Sequence, residues 1–149
     1  MKILVVTLIL AIVCILMAAV PSFSGEAPPV SGQVTFLYYE DLERAGQFYG
    51  ETLGLKVTLD LDWVKMYETS PGSIVGLVSA TGGAHRPSKD KPVMVSLVVE
   101  DADAWYAYLK KQGVDVPNPP KDSTKVNVRA FGFKDPEGYT LEVFQWLKK

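Results

Sequence analysis

The run Val34-Thr35-Phe36-Leu37-Tyr38-Tyr39 is rich in aromatic and β-branched residues, the composition of a strand. Asp41 then suits a helix N-cap. Leu42, Ala45, Tyr49 and Leu53 recur at helical spacing, so one apolar stripe faces a sheet until Gly54 stops the helix. Shorter strand-like runs follow at 55–60, 64–68 and 74–78, the last two parted by Ser70-Pro71-Gly72. Residues 81–92 carry Gly, Pro and charge without an apolar period, which predicts a linker.

The pattern then begins again. A strand at 94–99 leads to an N-cap at Asp101 and a helical stripe of Ala102, Trp105 and Leu109 that ends at Gly113. Leu42, Ala45 and Tyr49 map onto these three at a constant offset, the mark of a duplicated β–α–β–β–β unit. The second unit is expected to close with strands at 114–116 and 125–133 and one from Thr140 onward, with Pro117, Pro119 and Pro120 stiffening a loop. Asp135-Pro136-Glu137-Gly138 suits a type I turn between the last two strands. Glu142 then interrupts an otherwise apolar strand, where a carboxylate is costly unless it faces water or binds something.

The first residues stand apart. Between Lys2 and Pro21 there is no charge, and Ser22 and Ser24 suit the small-residue positions of a signal-peptidase site. Residues 1–24 are therefore expected to be a cleaved export signal, giving a periplasmic or extracellular protein. The alternative is an uncleaved membrane anchor. Residues 25–32 read as a flexible leader. Cleavage removes Cys14 and Lys2, leaving 14 basic against 17 acidic residues, so the mature chain has no disulfide framework and no basic face for nucleic acid.

The duplicated unit, the Leu-Gly-Leu after Phe48-Tyr49, and Asp-Pro-Glu-Gly-Tyr leading into Leu141-Glu142-Val143 resemble the vicinal oxygen chelate superfamily. That group holds glyoxalase I, extradiol dioxygenases and the fosfomycin- and bleomycin-resistance proteins. The resemblance covers residues 33–147. It implies an α+β fold of two tandem βαβββ modules, 33–80 and 93–149, forming curled mixed sheets around a cavity. It also implies metal ligands on the first and last strand of each module, a His and a Glu. At those positions stand Val34 and Gly76 in the first module and Met94 and Glu142 in the second. The residues themselves agree: one His, His85, sits in the linker, and catalytic zinc or iron draws several His or Cys ligands.

No tightly bound metal and no cofactor is expected, with Glu142 the sole candidate ligand if an ion binds. Strand alternation in that register turns Val34, Phe36, Tyr38, Met94, Ser96, Thr140, Glu142 and Phe144 toward a small-molecule pocket. Arg129 is a candidate partner of Glu142 or of an anionic ligand. The expectation is a metal-free, homodimeric binding protein. The alternative is a lyase, isomerase or dioxygenase-type enzyme working through Glu142 and Tyr38, with a weakly held divalent ion.

Overall fold

A computed structural model of the chain describes Ala27 and residues 29–148. The expected export signal, 1–24, lies outside the described residues. Among the described residues no helix is long and apolar enough to cross a membrane.

The first module consists of β1 (Gln33–Tyr39), α1 (Leu42–Gln47) with a wider π-helical turn at Phe48–Thr52, β2 (Lys56–Leu61), β3 (Val64–Ser70) and β4 (Ser73–Ser79). The second consists of β5 (Met94–Val98), α2 (Ala102–Lys111), β6 (Lys121–Ser123), β7 (Val128–Lys134) and β8 (Thr140–Trp146). Each makes one four-stranded mixed sheet, ordered β1-β4-β3-β2 and β5-β8-β7-β6, with the first strand parallel to the last. The duplication is thus real in three dimensions. Asp41 and Asp101 cap the two helices, accepting the N–H groups of Arg44 at 3.0 Å and Ala104 at 2.9 Å.

Alternation gives each sheet a helix-facing side. Leu37, Val75 and Leu77 from the first sheet and Leu97, Leu141 and Val143 from the second join the helix residues Leu42, Ala45, Tyr49, Ala102 and Leu109 in one core. The duplicated stripe supplies the apolar face of both helices, although Trp105 is half-buried where Ala45 is fully buried.

Three details differ from the pattern. The first helix widens after Gln47. The Gly46 carbonyl accepts the Tyr67 hydroxyl at 3.0 Å, and Gly46 and Gly50 leave room for Lys65 and Tyr67. A side chain engaging a mid-helix carbonyl disturbs the ladder in this way. Residues 114–116 form no strand; Val114 and Val116 are buried in an extended segment, and the second strand of that module is β6, beyond the prolines. β7 starts at Val128 rather than 125, because Asn127 takes a left-handed conformation (φ 56°) in the turn that joins it to β6.

The Asp135–Gly138 turn forms as expected, with Gly138 N–H bonded to the Asp135 carbonyl at 3.1 Å. It also clamps the two modules together. Asp135 Oδ1 accepts the Glu137 and Tyr139 N–H groups at 3.0 and 2.8 Å, while Oδ2 accepts the Tyr39 hydroxyl at 2.6 Å. The Tyr139 hydroxyl accepts the Tyr38 N–H at 2.9 Å and donates to the Tyr38 carbonyl at 3.0 Å. The Glu137 carboxylate accepts the N–H groups of Glu40 and Asp41, at 3.1 and 2.8 Å, at the entry to α1. Burial pushes the Asp135 carboxyl above its ordinary range, against the pull of its hydrogen bonds, and pushes the Tyr39 and Tyr49 hydroxyls up as well.

Candidate functional site around Glu142

The sheet faces turned away from the helices carry the predicted site residues other than Arg129. The strand registers set Phe36 beside Gly76, and Gly76 beside Met66, across the first sheet. The corresponding row of the second sheet is Ser96, Glu142, Gly132. One row is apolar and filled, the other polar and open.

In the first row the Phe36 ring lies over Gly76, where a Cβ would come within 2.5 Å of its Cδ1. In the second, Ser96 Oγ donates to Glu142 Oε2 at 2.8 Å. A Cβ added at Gly132 would meet just the Leu141 carbonyl oxygen, at 3.6 Å, so a notch lies beside the carboxylate. Among the described residues no Lys, Arg or His forms an ion pair with Glu142. Lys134, a cation on the same face, donates to Thr140 Oγ1 at 2.6 Å.

Apolar side chains frame this half-buried carboxylate. Met94 and Val98 on β5 are 53% and 59% exposed, and the Phe144 ring meets Trp146 edge-on at 5.1 Å. A carboxylate with one free oxygen among apolar groups suits a ligand that offers a hydrogen-bond donor from an apolar body.

Val34, Phe36 and Tyr38 share the corresponding face of the first module. The linker covers part of it. Gly83, at φ 59°, lies against Val78 and Tyr38, and the His85 ring meets the Tyr38 ring edge-on at 5.4 Å. Among the described residues the Tyr38 hydroxyl makes no hydrogen bond to Glu142. The linker lacks periodicity, so its packing on Tyr38 left no signal in the sequence.

Arg129 stands elsewhere. It pairs in register with Gln145 on the helix-facing side, and its guanidinium binds Asp103 through Nε and Nη2 at 2.6 and 2.8 Å and Asp122 through Nη1 at 2.7 Å. It is neither a partner of Glu142 nor free for an anionic ligand. Those hydrogen bonds hold the Asp103 carboxyl below its ordinary value and push the guanidinium further up. Its position one residue out of phase with Glu142 is the signal that places it on the other face.

Among the described residues no three His, Cys, Asp or Glu side chains gather as a metal-binding group. At the positions implied by the resemblance, Val34, Gly76 and Met94 offer no hard donor, and the Phe36 ring takes the space a side chain at 76 would use. The residues present do not fit a tightly held catalytic metal.

A cavity of about 650 Å³ adjoins this face between β1, the β3–β4 turn and β5. Met94, Ser96 and Val98 line it, with Thr69, Ser70, Ser73, Leu55 and Trp105; Glu142 does not, and Ser96 is the residue the two features share.

Two tandem βαβββ modules with a last-strand carboxylate on the sheet face define the glyoxalase-like class of α+β proteins. The sequence profile of the glyoxalase/bleomycin resistance protein/dioxygenase superfamily matches residues 32–143, and the chain belongs to that superfamily. It is similar to a glyoxalase/bleomycin resistance protein/dioxygenase from Nocardioides, at 26% identity over 93% of both chains and a TM-score of 0.65. It shares its fold with a lactoylglutathione lyase from Agrobacterium tumefaciens, at 19% identity over 80% of this chain and 96% of the other, TM-score 0.65. Among curated proteins, the uncharacterized protein YraH of Bacillus subtilis (strain 168) is 23% identical, covering 74% of this chain and 94% of its own length.

Proposed function

We propose that this chain is an exported, homodimeric small-molecule-binding protein of the superfamily, with a degenerate metal site and a ligand held at Glu142 without a bound metal. The observation that carries the reading is the contrast between the two rows. Phe36 over Gly76 leaves no place for a first-module ligand, whereas Glu142 keeps an oxygen free beside the Gly132 notch. Export rests on the uncharged run and small residues before Gly25. The homodimer is supported by Val57, Leu59, Leu61 and Trp63, exposed together at the outer edge of the first sheet.

The test is metal analysis of the purified protein together with a thermal-shift screen against divalent metals and a metabolite and antibiotic library. The expected result is no stoichiometric Zn, Ni, Mn or Fe, and a Tm shift with an organic compound that Glu142→Gln removes. Stoichiometric metal, with stability lost on chelation, overturns the proposal.

A further inference from the structure

The first and last strands of the two modules are related residue by residue, and the side chains at their junction ends differ. Registers match Tyr38 and Tyr39 of β1 to Val98 and Val99 of β5, and Ile74 of β4 to Thr140 of β8. The turns before those last strands have equal length, so Thr69 corresponds to Asp135, Gly72 to Gly138 and Ser73 to Tyr139. Both glycines take the left-handed conformation, with φ of 79° and 89°. In both turns the first residue's side chain bonds the backbone of the fifth, though with opposite polarity: the Thr69 hydroxyl donates to the Ser73 carbonyl at 3.1 Å, whereas Asp135 Oδ1 accepts the Tyr139 N–H at 2.8 Å.

At the Tyr139 end the module junction is filled. The Tyr139 phenol satisfies both the N–H and the carbonyl that Tyr38 presents at the free edge of β1. At the opposite end the equivalent of this phenol is the short side chain of Ser73, and the equivalent of the buried Tyr39 is Val99. Ser73 and Val99 both line the cavity of about 650 Å³.

Val99 N–H bonds to the Phe144 carbonyl on β8, at 2.9 Å. By strand alternation the N–H and carbonyl of Val98 point away from β8, to the free edge of β5 that lines the cavity. Leu55 and Trp105 supply an apolar wall, and Thr69, Ser70 and Ser73 supply hydroxyls. The volume lies in the range of small-ligand sites.

The geometry points to this junction cavity as a binding site for a small hydroxyl-bearing aromatic compound, a phenol in class, held as Tyr139 is held at the other end. Its hydroxyl donates to the Val98 carbonyl and accepts the Val98 N–H, and its ring packs on Leu55 and Trp105. The protein carries its own template for the ligand.

The test uses fluorine NMR of 4-fluorophenol with the protein as the expressing cell yields it, against 4-fluoroanisole, whose oxygen is methylated. The phenol is expected to bind, and the ether to bind weaker by about tenfold or more, since it cannot donate to the carbonyl. Ser73→Tyr, which supplies the missing phenol from within, is expected to abolish 4-fluorophenol binding and to raise Tm. No binding of the phenol, equal binding of phenol and ether, or unchanged phenol binding in a folded Ser73→Tyr protein each overturns the inference. The phenol-to-ether comparison on the unaltered protein decides it if that variant does not fold.

Discussion

Phe36 occupies the space above Gly76: the two are register partners on β1 and β4, and a Cβ at residue 76 would lie 2.5 Å from the Phe36 ring. Gly76→Ala therefore forces the ring aside, at a cost of about 1–3 kcal/mol. Phe36→Ala in the same chain relieves most of that cost, because the two sites share one clash. Denaturant unfolding of both single variants and the double variant checks this. An additive result removes the claim that Phe36 fills the vacated position.

The same relationship marks what the sequence could and could not reveal. The duplicated helix stripe, the two Asp caps and the Asp135–Gly138 turn were legible because each follows from local chemistry repeated at fixed spacing. The face of Glu142 followed from alternation along one strand. The residue type of Arg129 suggests a partner for Glu142, while its phase along the strand places it on the opposite face. The second module's short β6 was displaced by the proline loop, since pairing with β7 is set by the turn at Asn127 rather than by the apolar residues at 114 and 116. The junction cavity was invisible because it depends on two elements of different modules and on what the turn residues reach.

Arg129 ties α2 to β6 through Asp103 and Asp122. Arg129→Gln is expected to leave ligand binding at Glu142 unchanged while amide exchange quickens in β6 and at the start of α2. The effect should shrink as salt rises, because the acidic partners are exposed and screened. Loss of ligand binding with unchanged exchange would return Arg129 to the site.

Asp135 has a sign that can be worked out. Its native carboxyl is raised from an ordinary value of 3.8, chiefly by burial. The native state therefore holds the proton more tightly than the unfolded chain, so the contribution is full below that ordinary value and is lost as pH rises through the raised native value. Asp135→Asn removes this titration. The stability difference between the two proteins should move in favour of the Asn variant as pH rises from the ordinary value of 3.8 through the raised native one. A difference that is flat, or moves the other way, shows that the hydrogen bonds from Tyr39 and the turn amides outweigh burial.

Tyr139 is buried, and its hydroxyl serves both edge groups of Tyr38 across the module junction. Tyr139→Phe keeps the ring, and with it the contact to Tyr39, whose centroid is 5.2 Å away. It leaves the partly buried Tyr38 N–H without its partner and the Tyr38 carbonyl with only the longer bond from Lys91 Nζ, at 3.5 Å. The cost should be about 1–3 kcal/mol, the penalty for unmade hydrogen bonds rather than for lost packing. If the clamp acts as described, the loss appears first as faster exchange of the Tyr38 amide and a lower Tm, with the second sheet's own amides protected as before. Tyr139→Leu should cost more, since the aromatic contact goes as well. Equal destabilisation by Phe and Leu would mean that the aromatic contact adds nothing, whereas an unchanged Tm in Tyr139→Phe would mean that the hydroxyl contributes nothing, and the Tyr139 phenol would then be no guide to what the opposite cavity binds.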